Sequence, residues 1–267
     1  MLRIRVLTLN IWNREEPWEA RLELMRRGIA KLAPDVIGIQ EDVQLGNRRL
    51  SDEIKAGLGY ESTFGIADEL ELGLFLGHSG RISDEVGPNL FLGNSVLSRF
   101  AIVAKKTIAL PHGGTAERRS LLVTGLATPA GVLPFCVTHL NWRAGESQVR
   151  QAQIRAITDC MNILRRPSDL PAILVGDFNA APNSKEMLFL RAHHWKDSYE
   201  SIVTIPGHTF DALRNPFARR TASDRRRIDY IFVRAPGRPM SSSVVLDECV
   251  GGVCASDHFG VLAEIEI

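Results

Sequence analysis

Ala172-Ile173-Leu174-Val175 runs straight into Gly176-Asp177-Phe178-Asn179-Ala180. An apolar run this short, without polar alternation, suits a strand covered on both faces. Asp177 and Asn179 stand at its end. With one residue between them, they project from the same side of a strand that has not yet turned. A carboxylate and an amide so placed can hold a metal, a water or a phosphate oxygen. The same residue types also form ordinary turns. The rest of the chain decides between the two readings.

Residues 3–10 read as a strand ending in Thr8-Leu9-Asn10. Pro17 opens a helical pattern in which Trp18, Leu22, Met25, Ile29 and Leu32 recur at steps of four and three, and Pro34 stops it. Asp35–Glu41 is a second apolar strand with a polar end. A helix is expected over 48–58, and short strands over 71–77, 94–98, 101–109 and 119–126. Val132–Leu140 reads as a strand leading into Asn141. The stretch from Ser147 to Leu164 is an amphipathic helix, and 184–191 a short one. Residues 215–227 are polar and rich in arginine, and read as a loop. Arg227–Val233 is a strand carrying Asp229 near its start. Ser256-Asp257-His258 precedes a last strand, Phe259–Ile267.

Asn10, Glu41, His139, Asn141, Asp177 and Asn179 all fall at or just after the carboxyl ends of strands. Asp229, Asp257 and His258 fall at the beginnings of others. If the last strands run antiparallel to the first, all these side chains meet at one rim, where sheet proteins build sites. A turn or cap role explains any one of them. It does not explain so many metal-binding and proton-transfer types together.

The set Leu9-Asn10, Gln40-Glu41, Thr138-His139-Leu140-Asn141, Gly176-Asp177-Phe178-Asn179, Arg227-Ile228-Asp229-Tyr230 and Ser256-Asp257-His258 resembles the endonuclease/exonuclease/phosphatase superfamily. The motifs stand in family order over nearly the whole chain. The resemblance implies an α/β fold: a four-layer α/β sandwich, with two mixed β-sheets packed face to face and helices outside. It also implies a hydrolase dependent on Mg²⁺ or Mn²⁺. Glu41 is then the main metal ligand, with Asn10 beside it and Asp257 contributing through water. Asp177 and Asn179 orient the attacking water and contact the phosphate. His258, oriented by Asp229, resembles the family's Asp–His pair. His139 stabilises the developing charge or donates a proton, supported by Asn141. Either Asp177 or His258 can take the water's proton. One departure stands out: Asn10-Ile11-Trp12 lacks the acid of the Asn-x-Asp found in abasic-site endonucleases, which weakens a DNA-repair reading.

The chemistry agrees with these residue types. A phosphodiester is anionic and repels a nucleophile, so hydrolysis needs charge neutralisation, an oriented water and help for the leaving oxygen. A hard cation on oxygen ligands supplies the first and third.

Composition bears on the substrate. A net charge of +1 and 7% aromatics argue against strong, sequence-blind attraction to nucleic acid. A small phosphate ester or a lipid headgroup is therefore the favoured partner, and DNA or RNA the alternative. A non-catalytic module ranks last, because no motif residue is replaced by an inert one. The candidate substrate contacts are Asn141, Trp142, Arg118, His208 and Arg227, with Arg119 similar to Arg118. A lipid-facing patch at Leu70–Leu76 with Phe91 is weighed against simple core packing. No linker divides the 267 residues, so residues 1–267 are read as one domain. The N-terminus alternates like a strand and lacks a signal peptide's apolar core. Cys136, Cys160, Cys249 and Cys254 form no CxxC pair and are expected as reduced thiols. A cytoplasmic location follows from these two readings, with no transmembrane segment.

Overall fold

The computed structural model describes residues 2–70, 90–164, 166 and 169–267. The first sheet contains β1 (Arg3–Asn10), β2 (Val36–Leu45), β3 (Arg48–Arg49), β4 (Glu61–Leu70), β5 (Leu90–Ser98), β14 (Arg238–Val245) and β15 (Gly260–Glu266). Their order is β14-β15-β1-β2-β5-β4, with β3 paired to β2. The second contains β6 (Ala101–Ala109), β7 (Ser120–Thr128), β8 (Gly131–His139), β9 (Ile173–Asp177), β10 (Trp195–Asp197) and β13 (Asp229–Arg234). Here the order is β10-β13-β9-β8-β7-β6. A small ribbon pairs β11 (Phe210–Asp211) with β12 (Arg225–Arg226).

Both sheets are mixed. β1 and β2 are parallel, as are β8 and β9. Each pair is joined by a crossover helix, α1 (Trp18–Leu32) for the first and α3 (Ser147–Leu164) for the second. The remaining helices are α2 (Leu50–Lys55) and α4 (Lys185–Ala192). One apolar cluster lies between the sheets, joining Ile4, Val6 and Val36 to Val137, Ile173 and Val175. A second lies between the second sheet and α3 and α4, and a third between the first sheet and α1 and α2. These three interfaces make four layers, as the resemblance implies. Gly38 shows how closely the sheets approach. A Cβ there would come within 2.3 Å of Val175 Cγ2.

Several expectations need correction. The helix expected over 48–58 is only Leu50–Lys55. A turn at Gly46 folds Arg48–Arg49 back onto β2, and Gly57 and Gly59 take positive φ beyond the helix. Strands β4 and β14 escape apolar periodicity because they are edge strands with polar sequences, ESTFGIADEL and RPMSSSVV. Residues 215–227 are not a plain loop: they hold β12 and a 3₁₀ turn at Ala218–Arg220. The strand expected at 71–77 lies outside the described residues, and so does the patch around it apart from Leu70 at the end of β4 and Phe91 in β5. Cys249 and Cys254 are not free thiols but a disulfide, closing a tight loop just before Ser256. The redox part of the cytoplasmic reading loses its basis there. Among the described residues, no helix is long and apolar enough to cross a membrane.

Candidate active site

Period-two alternation places most of the site. Ile4 and Val6 on β1, Phe135 and Val137 on β8, Ile173 and Val175 on β9, and Ile231 and Val233 on β13 enter the core between the sheets. Asn10, His139, Asp177 and Asp229 are in phase with them and point into the same inter-sheet space at its rim. Within the second sheet, His139 and Asp229 are the register partners of Asp177 on its two sides. The last strands run antiparallel to the first ones, β15 to β1 and β13 to β9. That brings the segment before β15, with Ser256-Asp257-His258, to the same edge. Ser256 Oγ donates to the Asn10 carbonyl over 2.7 Å and ties this segment to β1.

Glu41 breaks the alternation. It is in phase with Ile37 and Ile39, which pack against α1. A β-bulge between Ile39 and Asp42 and a φ of 58° at Glu41 turn it to the rim. There Asn10 Nδ2 donates to Glu41 Oε1 and to Asp177 Oδ2, both over 3.1 Å. Beside the bulge, Asp42 is fully buried. It accepts from Ser51 N over 3.0 Å and from Ser95 Oγ, which fastens the bulge to α2 and β5.

The proton-carrying groups come from both sheets, Asp177, Asp229 and His139 from the second and His258 from the segment before β15 in the first. His258 Nδ1 is 2.9 Å from Asp229 Oδ2, and its Nε2 is 3.7 Å from Asp177 Oδ2. Burial alone would depress this imidazole, but the charges of Asp229, Asp177 and Asp257 outweigh it and hold the pKa well above the ordinary value. His139 goes the other way. Burial, then the charges of Arg119 and His258, push it well below the ordinary value. Arg119 Nη1 donates to His139 Nδ1 over 2.8 Å. A guanidinium cannot accept, so the neutral ring keeps its proton on Nε2, 3.4 Å from Asp177 Oδ2. Asn179 adopts a left-handed φ of 48°. This brings its Nδ2 within 3.1 Å of His139 Nε2 and lets it donate to the Leu140 carbonyl.

Negative charge is in excess at the rim. Burial, then the Asp229 charge, raises the Asp177 pKa to about 7. Burial likewise raises Asp257 to about 6; Glu41 adds to the rise, while His258 and Arg21 oppose it. One oxygen of Asp229, Oδ1, is buried without a hydrogen-bond partner. Oxygen donors carrying surplus negative charge fit a hard divalent cation. Glu41 and Asp257 are the anionic donors on that side, with Asn10 beside them. Asp177, Asp229 and His258 also bring one ligand atom each within 4.8 Å of one another. His258 is held toward its protonated form there, so the donor set on the Glu41 side fits an added cation better.

The expected substrate contacts divide. Trp142 is 59% exposed beside the His139 loop, with Arg143 over its ring. His208 is half-buried and precedes Thr209, whose Oγ1 accepts from Asp229 N over 3.2 Å. Three others point elsewhere. Asn141 is fully buried, its amide committed to Thr115, Glu146 and Gln153, so it braces the loop. Arg227 is buried in an ion pair with Asp197 at 2.7 Å, between the rings of Tyr199 and Tyr230. Arg118 is exposed and donates to the Thr115 carbonyl. Its neighbour Arg119 occupies the site instead. The rule of strand ends points to Arg119, since it immediately precedes β7 and β7 runs antiparallel to β8. Arg21 was missed altogether. It lies on the buried stripe of α1 and reaches the carbonyls of Ile11, Glu15 and Ala255.

Solved structures of similar shape include an endonuclease/exonuclease/phosphatase from Beutenbergia cavernae DSM 12333. It is 24% identical with a TM-score of 0.75, over 100% of this chain and 72% of that one. The human Nocturnin catalytic domain with bound sulfate is 23% identical with a TM-score of 0.73, over 99% of this chain and 93% of that one. Truncated Caenorhabditis elegans TDP2 is 15% identical with a TM-score of 0.73, over 100% and 98%. No curated protein sequence matches the chain. Residues 7–258 match the sequence model of the Endonuclease/Exonuclease/phosphatase family, and the chain belongs to that family.

Proposed function

We propose that the chain is a divalent-metal-dependent phosphoesterase that hydrolyses a phosphodiester or phosphomonoester by in-line attack of water. The observation that carries this reading is one buried cluster in which His258 Nδ1 meets Asp229 Oδ2 at 2.9 Å and its Nε2 faces Asp177 Oδ2 at 3.7 Å. Asp177 accepts the proton of the attacking water, which Asn179 helps to hold. His258, fixed by Asp229, offers its Nε2 proton to the phosphate. His139 adds a neutral Nε2–H donor for charge developing on a phosphate oxygen. Glu41, Asn10 and Asp257 would hold Mg²⁺ or Mn²⁺, which would supply charge neutralisation at the phosphate and the leaving oxygen.

The substrate is a small phosphate ester or a lipid headgroup. The arginines of residues 214–227 support this, because most are already used. Arg214 pairs with Asp247, Arg225 with Asp211, Arg226 with Asp224 and Arg227 with Asp197. Arg219 donates to two carbonyls. Little of this stretch is left to track a polynucleotide backbone. A nuclease is the second reading, favoured by the exposed Trp142 as a stacking platform. The cytoplasm fits if Cys249 and Cys254 are reduced in the cell; a persisting bridge fits an oxidising compartment.

The test is hydrolysis of bis-p-nitrophenyl phosphate, p-nitrophenyl phosphate, sphingomyelin, inositol phosphates, plasmid DNA and RNA with Mg²⁺ or Mn²⁺, and again with EDTA. Turnover of small esters that EDTA abolishes is expected. Rapid cutting of plasmid with no turnover of the small esters would replace this reading with the nuclease.

A further inference from the structure

A groove of about 320 Å³ lies at the far end of the second sheet. It takes in Val132 and Pro134 at the start of β8, whereas His139 ends that strand. Pro134 and Val132 stand five and seven positions before His139 along the strand, roughly 16 to 23 Å at about 3.3 Å per residue. The groove exists because α3 stops at Leu164 while the apolar outer face of the sheet continues toward its edge strand, β6. Val123, Pro134, Met161, Leu164 and Leu170 line it. Val132 at its lip is 40% exposed.

The surrounding charge is one-sided. Lys106 and Arg166 line the same groove, and among the described residues neither side chain has an ion-pair partner; Lys105, one residue along β6, points to the opposite face of the sheet. The one acid there, Asp169, accepts from the Arg166 backbone N–H over 2.8 Å. Arg234, the third cation, is engaged with Asn162 and lies over Trp195.

An apolar floor ringed by uncompensated cations complements a molecule with an apolar body and one anionic head. The volume stands at the lower end of ligand pockets, about 300–1,000 Å³, which suits one alkyl chain better than two. We propose that this groove is a second, non-catalytic binding site for a single-chain amphipathic carboxylate of the fatty-acid class. Its chain lies along Val123, Pro134 and Leu164, and its carboxylate sits between Lys106 and Arg166.

Isothermal titration with decanoate below its micellar range tests this on the full chain. A one-to-one isotherm with Kd below about 1 mM is expected. Decyltrimethylammonium, with the same chain and the opposite charge, is expected to bind at least about tenfold more weakly. The double variant Lys106→Glu/Arg166→Glu should weaken decanoate binding about tenfold or more. Ala104→Phe, on the exposed edge strand at the lip, should weaken it by filling the mouth; β6 tolerates an aromatic residue there. Either variant suffices if the other fails to fold. Absence of saturable decanoate binding overturns the proposal. So does equal binding of the cationic analogue, which would show apolar adsorption alone. Binding to vesicles of phosphatidylglycerol and phosphatidylcholine without binding of decanoate also overturns it, since the surface would then be a membrane patch.

Discussion

The β1–α1–β2 and β8–α3–β9 crossovers are built alike and charged differently. Each joins two parallel strands through an outer helix, and each helix buries one arginine. Arg21 on α1 holds the carbonyls of the loop after β1. Arg150 on α3 holds the carbonyls of Asn141 and Arg143, in the loop after β8. Arg150 also meets Glu186 at 3.1 Å, a buried ion pair. Arg21 is held instead by the carbonyls of Ile11, Glu15 and Ala255. Burial lowers its pKa to about 10, against the more distant charges of Asp257, Glu15 and Glu41. The same device therefore leaves the β8–α3–β9 side locally compensated. On the β1–α1–β2 side, cation and carboxylates remain coupled across the site. Under the proposed function, the first side is the one that would hold a metal, and the second carries Asp177, the proposed base.

Asp177→Asn is the sharpest way to break the comparison. Loss of the base should lower kcat by about 10³-fold, within the usual range for acid–base groups, while Mg²⁺ affinity by calorimetry changes little. Glu41→Gln should do the reverse and weaken Mg²⁺ binding first. Equal effects of both substitutions on metal affinity would dissolve the division.

The Asp229–His258 pair tests the proton side alone. Asp229→Asn and His258→Ala should each lower kcat by about 10²-fold, and the double variant should be little worse than either, because the two act as one unit. Multiplicative losses on bis-p-nitrophenyl phosphate would show independent roles. The pH profile should agree. Asp177 must be ionised and His258 protonated, so the rate rises with pH up to the Asp177 pKa. That pKa is about 7 without metal, and a bound cation lowers it. The rate falls again where His258 loses its proton.

The two arginines should separate by stability. Arg150→Met strands Glu186 as a buried charge and should cost about 3–5 kcal/mol in urea unfolding. Arg21→Met leaves carbonyls unpaired and should cost about 1–3 kcal/mol. It should also tighten Mg²⁺ binding, since a competing positive charge is gone. Looser Mg²⁺ binding in a folded Arg21→Met protein would refute the electrostatic coupling. The smallest effect is expected at Arg118, where Ala should leave kcat within about twofold and stability within about 0.5 kcal/mol. Arg119→Ala should lower kcat about tenfold by releasing the His139 tautomer.

The strands that carry the site were legible because buried strands write themselves as apolar runs. Period-two phase then assigns Asn10, His139, Asp177 and Asp229 to one face without any coordinates. Both long helices follow from apolar spacing. Edge strands β4 and β14 were not legible, since half their environment is solvent and imposes no apolar pattern.

What the sequence alone determined is the identity and order of the reactive side chains and their position at strand ends, because alternation and strand polarity are local properties. Only the tertiary structure decided that Glu41 turns out of phase at a bulge, since that depends on pairing with β5. It chose Arg119 over Arg118, because only one of two adjacent residues beside a strand can face His139. It also withdrew Arg227 and Asn141 into partners at Asp197 and Gln153, residues 30 and 12 positions away. Long-range pairing of polar groups is written nowhere in local pattern. It is fixed when the sheets close on each other and every buried donor must find an acceptor.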